Sequence, residues 1–430
     1  MTFNKKTIKD YDLENKTVLL RVDYNVPLSS GVITGDYRIR QSLQTIEYIL
    51  SKNTKLIICS HLGKPKGRRD LSLSLKPVAK RLSELLGRKI EFSTETVGDS
   101  VTTRVKTLRV GEVLLLENLR FHEGEEVNDP EFAKRLASLA DVFVQDGFGI
   151  VHEVQASTVA ITKFLPSVAG LLLFNEVNTI SDAMTSPNRP LVSIVGGAKI
   201  SEKIDIVKRL IDISDVVIIG GAMANTFHLA NGMDIGSSLA DRSDIELSKD
   251  ILDLAKKKAK RAKFSFYLPQ DGVVADDMIK PTYTRIVDFG SHAISDIEAY
   301  PKLPKRTSFE VKKNEKILDI GPFSGAFIAG SIQLASSVIW NGTLGVTETK
   351  SVVGPVGPFS HGSELVIEAL LGQFGSKPFS IIGGGDTVAY IEGLKLESAF
   401  SHVSTGGGAS MSLMSGKKLP GVEALLNANG

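Results

Sequence analysis

One pattern constrains this chain more than any other. Short runs of β-branched or leucine-rich residues end abruptly in Gly, Asp, Asn or His, again and again. In the first half they are TVLLRVDYN (Thr17 to Asn25), KLIICSHLG (Lys55 to Gly63), EVLLLENLR (Glu112 to Arg120) and DVFVQDGFG (Asp141 to Gly149). In the second half they are PLVSIVGGAK (Pro190 to Lys199), DVVIIGGAM (Asp215 to Met223), KILDIGPFS (Lys316 to Ser324), SVIWNGTLG (Ser337 to Gly345) and FSIIGGGDT (Phe379 to Thr387). Runs apolar at nearly every position suit strands buried on both faces, as in parallel sheets. Periodicity alone leaves short buried helices open, but run length and flanking glycines favour strands.

Helical patterns separate the runs. They cover Tyr37 to Leu50, Lys76 to Leu86, Asp129 to Ala140, Glu202 to Ile213, Asp244 to Ala262, Gly325 to Ala335 and Gly362 to Gln373. Pro77 and Pro130 suit first turns, Asp129 suits a cap, and Gly87 suits a stop. Strand and helix alternate throughout, which predicts an α/β architecture with helices on both sheet faces. LPSVAG (Leu165 to Gly170) closes the first series, and the second begins at Leu191. The expected division is lobes of 1–170 and 190–403, joined by a helix and linker over 171–189. The tail 404–430 is too short for a domain and must pack on something already built.

Composition narrows the partners. Of 430 residues, 42% are hydrophobic and 23% charged, enough for a real core and unlike a disordered chain. A formal net charge of +2 argues against a general polyanion binder, so nucleic acid is not expected. The lone cysteine, Cys59, permits neither a disulfide framework nor a Cys-cluster metal site, and it sits in an apolar run as a packing residue. The polar N-terminus lacks a signal-peptide run, and stretches such as Ala169 to Phe174 are too short to span a bilayer. A soluble cytoplasmic protein without membrane association is expected. His228, His292, His361 and His402 lack metal-ligand spacing. The basic run Lys256 to Lys258 with Lys260 and Arg261 reads as a solvated helix face, and Trp340 as core.

In open α/β sheets, ligands bind beyond the carboxyl ends of the strands. In the second lobe those ends carry Gly196-Gly197, Gly220-Gly221 and Gly383-Gly384-Gly385, with Gly406-Gly407-Gly408 further on. Glycine lets backbone N–H groups approach an anion, and a following helix N-terminus adds a favourable dipole. A single cluster can simply turn the chain; several together point to a phosphate site. GGGDT supplies Asp386, a hard oxygen ligand suited to Mg²⁺. GGAKISEK places Lys199 and Lys203 one helical turn apart, on one face if helical, as phosphate clamps. Neither segment is a Walker A motif, and no intact G-x-G-x-x-G follows a strand, which weakens a nicotinamide oxidoreductase reading.

The first lobe ends its strands in charge. Arg21, Asp23 and Asn25 close one run, His61 and Lys64 the next and Arg120 the third. His152 lies past the fourth, and Arg38 opens the first helix. Arg, Lys and His on one edge make a site for carboxylate or phosphate. One lobe thus reads as a Mg-nucleotide holder and the other as a small-anion holder. A kinase follows, working by positioning and charge neutralisation with lobe closure to exclude water.

The chain resembles the phosphoglycerate kinases from end to end. The resemblance rests on RVDYNVPL, DYRIR, SHLGKP, LLENLRF, QDGFGIVH, AST, LPSVAG, VGGAKISEK, IIGGAMANTF, LDIGP, WNGTLGVTE, GGGDT, HVSTGGGAS and LPGV, in that order. It implies two Rossmann-like lobes, with the C-terminal tail returning to the N-terminal lobe. It implies a monomer that moves a phosphoryl group between 1,3-bisphosphoglycerate and ADP, giving 3-phosphoglycerate and ATP, with Mg²⁺. By motif, Arg21, Asp23, Asn25, Arg38, His61, Lys64 and Arg120 would hold the phosphoglycerate, and Arg38 would also face the transferring group. Lys199, Lys203, Gly220, Gly221, Asn341, Glu348, Gly384, Gly385, Asp386 and Thr387 would hold the nucleotide, Glu348 at the ribose and Asp386 at the metal.

The departures fall in both lobes. Glu153 stands where the resemblance implies a substrate-contacting Arg, and Lys64 where it implies another Arg. Thr343 replaces the proline of WNGP, and the loop Ser360 to Ser363 lacks the usual Gly-Thr ending. A lost charge-assisted contact costs about 1–3 kcal/mol. Weakened 3-phosphoglycerate binding is therefore expected unless Glu153 points away. A relative with an altered acceptor is one rival reading. A catalytically silent scaffold is another, opposed by the retained Arg38, Lys199, Lys203 and Asp386.

Overall fold

The structure, a computed structural model, describes residues 3–289, 310–349 and 358–428. The chain forms two compact units, Met1–Asp182 with Thr405–Gly430, and Ala183–Ser404. The division falls inside the helix Leu171–Thr185.

The first unit holds a six-stranded sheet. From edge to edge its strands are Ile90–Phe92, Val113–Leu115, Lys55–Cys59, Thr17–Arg21, Val142–Gln145 and Ser167–Ala169, every neighbouring pair parallel. Successive side chains of a strand point to opposite faces. Val18 and Leu20 therefore enter one core with Leu56 and Ile58, while Leu19 enters another with Ile57 and Cys59. The helices Tyr37–Leu50 and Lys76–Leu86 cover the first core through Ile39, Ile46, Ile49, Val78 and Leu82. The helix Pro130–Ala137 covers the second through Phe132 and Leu136. Both faces are dry, which is why the runs are apolar throughout. Asp129 caps its helix as expected, accepting from the Glu131 and Phe132 N–H groups.

The tail returns to this unit. Leu426 N–H donates to Ser167 O, Leu426 O accepts from Lys6 N–H, and Gly421 N–H donates to Val151 O.

The second unit has its own six-stranded parallel sheet, in the order Ser265–Tyr267, Val216–Ile219, Leu191–Val195, Ser337–Asn341, Phe379–Gly383 and His402–Val403. Beside it lies a three-stranded antiparallel sheet of Thr284–Asp288, Asp271–Ala275 and Lys316–Ile320. This corrects the reading of KILDI as a parallel-sheet strand. Apolar content reports burial, not the direction of the neighbouring strand. The helices Asp99–Thr107 and Gly221–Ala230 were not anticipated. No helix among the described residues is long and apolar enough to cross a membrane.

The basic run also needs correction at one residue. Lys258 sends its ammonium to the carbonyls of Ile211, Asp212 and Ser214. It thereby closes the C-terminal end of the helix Ile204–Ile213, whose last carbonyls lack partners within the helix.

Candidate functional site

In the first unit the predicted anion edge is an interlocked set of side chains. Asn25 N–H donates to Asp23 Oδ1 at 3.0 Å, and Asn25 Oδ1 accepts from Gly63 N–H at 2.9 Å. Arg38, second residue of its helix and half-buried, donates to Asn25 O at 2.7 Å and lies 3.5 Å from Asp23 Oδ2. A Cβ at Gly149 would sit 2.1 Å from Asp23 Oδ2, so only glycine lets the carboxylate lie there. Burial by itself would raise the Asp23 carboxyl. Arg38, with the Asn25 N–H, outweighs it and holds the group below its ordinary value.

Arg21, the last residue of its strand, is placed differently from the expectation. It has no exposed surface. Its Nε donates to Ser157 Oγ at 2.8 Å and one terminal nitrogen to Val22 O at 2.5 Å. The other terminal nitrogen lies 3.2 Å from His61 Nδ1 and 3.9 Å from Glu125 Oε1. A guanidinium has no acceptor, so His61 Nδ1 must offer its lone pair, leaving the ring proton on Nε2. Asp23 Oδ1, 4.0 Å from the same Nδ1, is too far to compete. Burial drives the imidazole well below its ordinary pKa, and Arg21, Arg120 and Arg38 add to the effect while Asp23 opposes it. His61 is thus a neutral donor within the patch.

Glu125 is a residue that sequence reasoning missed. In the acidic tract EGEE it resembles a surface glutamate, yet it is fully buried, accepting from Ser157 Oγ at 2.5 Å and Ser157 N–H at 3.1 Å. Burial pushes its carboxyl up despite the pull of Arg21.

Arg120 belongs to the turn Leu119–Phe121 and is buried. It donates to Gly63 O at 2.9 Å and to Glu153 Oε2 at 3.2 Å, and its Nε lies 3.4 Å from Glu126 Oε1. Glu153 therefore points toward the patch. Lys64 is exposed and His152 half-buried on this unit.

In the second unit the predicted phosphate edge is mostly main chain. Gly220 caps the helix Gly221–Ala230, and Gly384 caps Gly385–Gly393. Asp386 lies exposed in the first turn of the latter. Thr387 is buried and its Oγ1 accepts from Gly342 N–H at 2.8 Å. A Cβ at Gly196 would lie 2.0 Å from Thr343 O, which excludes any other residue there.

Lys203 does not share a helical face with Lys199. The helix Ile204–Ile213 begins after both, so the condition attached to that pairing is not met. Lys203 Nζ donates to Gly196 O at 2.7 Å, Asn341 Oδ1 at 2.8 Å and Asn341 O at 3.3 Å. Burial pulls its pKa down to about 8, with Asp386 and Glu202 resisting. Lys199 is exposed. Asn341 is buried, and its Nδ2 has no hydrogen-bond partner.

A cleft of about 1150 Å³ opens in this unit, lined by Gly197, Gly221, Thr343, Glu348 and Asp386 together with apolar Leu344. Lys203, Asn341 and Thr387 do not line it; they brace the turns that do. Asp319 also lines it and was not singled out from sequence. It is buried, accepts from Gly362 N–H at 2.9 Å and Ile320 N–H at 2.8 Å, and burial pushes it up to about 7. In the loop that departs from the family pattern, Ser363 Oγ accepts from Leu344 N–H at 3.0 Å.

The remaining expectations concern packing and metals. Trp340 is buried, its indole N–H donating to Gly342 O at 2.8 Å. Cys59 is buried, its thiol pushed up to about 12 by burial. Among the described residues no three His, Cys, Asp or Glu side chains cluster as a metal cage, and His292 lies outside those residues. Mg²⁺ needs no such cage. It commonly takes one or two carboxylates, with substrate phosphates and water completing the shell. The exposed Asp386 on the cleft wall fits that requirement.

Comparison with known proteins matches residues 8–417 to the phosphoglycerate kinase family. A phosphoglycerate kinase of Dictyoglomus turgidum is 42% identical over 424 residues, 98% of this chain and 99% of that protein. One of Moorella thermoacetica is 43% identical over 421 residues, again 98% and 99%. Among solved structures, the phosphoglycerate kinase of Coxiella burnetii superposes with a TM-score of 0.79 at 34% identity, covering 98% of each chain.

Proposed function

The chain belongs to the phosphoglycerate kinase family, phosphotransferases with a carboxyl group as acceptor, and from that premise we propose how its two ligand edges divide the reaction. The first unit's edge takes 3-phosphoglycerate, through Arg38, His61, Asn25, Lys64 and Arg120. The second unit's cleft takes the nucleotide, with Glu348 at the ribose and the turns at Gly220–Gly221 and Gly384–Gly385 at the phosphates. The observation that carries this reading is the chemical contrast of the edges. One presents guanidinium and imidazole donors to a small anion. The other presents helix N-termini and an exposed carboxylate to polyphosphate.

In the ATP-consuming direction a carboxylate oxygen of 3-phosphoglycerate attacks the γ-phosphorus, and the bond from that phosphorus to the β–γ bridging oxygen breaks. The nucleophile is already ionised, so no general base is required. Arg38 holds charge on the transferring group, Lys199 neutralises the nucleotide phosphates, and Lys203 adds its charge from behind the turns it braces. Mg²⁺, held by Asp386, would screen the nucleotide's phosphate charge. Arg21 acts from beneath as a positioning residue, fixing the tautomer of His61 so that Nε2–H is offered. Closure of the lobes to exclude water, a monomeric state and a cytoplasmic setting belong to the same reading and rest on the resemblance.

The test is a coupled assay of ATP consumption dependent on 3-phosphoglycerate in the presence of Mg²⁺. Robust turnover is expected. Its absence with folded protein would overturn the reading. Nothing in the comparisons favours an altered acceptor.

A further inference from the structure

Arg120 stands out among the cations of the first unit's edge for the carboxylates around it. One guanidinium faces two carboxylates, Glu153 Oε2 at 3.2 Å and Glu126 Oε1 at 3.4 Å. Its other terminal nitrogen is tied to Gly63 O, and its Nε makes no hydrogen bond. The two ends of the Glu153 pair differ sharply in exposure. The Arg120 side chain is 4% exposed and that of Glu153 40%. Arg120 cannot swing out to meet a ligand, whereas Glu153 can leave for water. Glu153 is further held by Gln155 Nε2 at 2.5 Å, with His152 Nε2 3.8 Å from its other oxygen.

We propose that Glu153 sets the affinity for the anionic acceptor by occupying Arg120 in the free protein, so that the acceptor must displace one carboxylate before using that guanidinium. This rests on the reading that the first unit's edge binds 3-phosphoglycerate. It differs from a simple missing contact. If Glu153 only failed to supply a cation, neutralising it would leave Arg120 as it was. If Glu153 competes, neutralising it releases the donor that faces it. An ion pair with one wet end is modest in strength, and every 1.4 kcal/mol is tenfold in affinity.

The experiment is calorimetric titration of 3-phosphoglycerate into the full chain, wild type against Glu153→Gln and Glu153→Ala, with KM values for both substrates. Glu153→Gln is expected to tighten 3-phosphoglycerate roughly 3- to 10-fold, less at high salt, while KM for ATP holds. Glu153→Ala should tighten it in the same direction. Unchanged or weakened binding in both, with melting curves showing folded protein, overturns the proposal. If wild type neither binds nor turns over 3-phosphoglycerate, the functional reading fails, and this inference with it.

Discussion

The first unit's edge is assembled from side chains, the second unit's mostly from main chain. Around Asp23, Arg21 and Arg120, most polar groups are held by another side chain or by a carbonyl, down to the buried Glu125. Around Gly196, Gly220 and Gly384 the chain itself makes the surface, and the half-buried ammonium of Lys203 is spent on carbonyl oxygens. The difference follows from the ligands proposed for them. A small anion offers few atoms, so discrimination needs directed donors. A polyphosphate offers many oxygens, which helix N-termini can meet without side-chain entropy.

The largest expected break in this comparison comes from Arg38. Arg38→Ala should lower kcat about 100- to 1000-fold, the cost of removing one transition-state donor. A loss below tenfold in the coupled assay would remove Arg38 from the chemistry. Next come paired glycine substitutions. Gly149→Ala drives a methyl into Asp23, and Gly196→Ala drives one into Thr343 O. Overpacking costs about 1–3 kcal/mol. The first should raise KM for 3-phosphoglycerate by about tenfold and the second KM for ATP by a similar factor. Equal effects of both variants on both constants would erase the division of labour.

A pH profile sharpens the comparison further. Lys203 loses its proton as pH climbs through about 8, so kcat/KM for ATP should fall on that alkaline side. The 3-phosphoglycerate constant should lack a limb from His61 titration near neutrality, because burial and Arg21 keep the ring neutral. The two profiles measured side by side decide it; coincident alkaline limbs would count against the Lys203 assignment.

The smallest effect concerns stability. Asp146 in the first unit and Asp319 in the second are both pushed up to about 7 by burial. Asp146 Oδ1 accepts from Leu173 N–H, while its Oδ2 has no partner. Each folded value lies above the ordinary carboxyl value, so the folded state holds a proton that the unfolded state has released. Their stabilising contribution is complete below about pH 4 and is lost as pH rises through about 7. Asp146→Asn should therefore gain on wild type, on the order of 1 kcal/mol, between pH 5 and pH 8. Melting temperatures at those two values check it. A constant difference would mean Asp146 does not change charge on folding.

Legibility in the sequence was uneven for physical reasons. The helices Tyr37–Leu50 and Lys76–Leu86 were read to the residue, because their apolar spacing and punctuation are local. The strand Lys316–Ile320 was read as a strand but in the wrong sheet, because direction depends on the chain's path. The candidate site residues were legible as chemical types at strand ends. What each one touches was not. Arg21 looked like a ligand and is buried, and Glu125, which the sequence did not single out, lies against it. Lys258 looked solvated and closes a neighbouring helix.

The amino-acid order by itself determined the alternation of buried strands and amphipathic helices, the glycine turns and the charges at the strand ends. These are written in local periodicity and residue type. Tertiary structure alone decided which charges meet. That Arg120 spends its guanidinium on Gly63, Glu126 and Glu153 depends on segments up to 57 residues apart in sequence. Coulomb and hydrogen-bond energies fall off with distance in space, not along the chain. The state of each site charge is therefore a property of the fold.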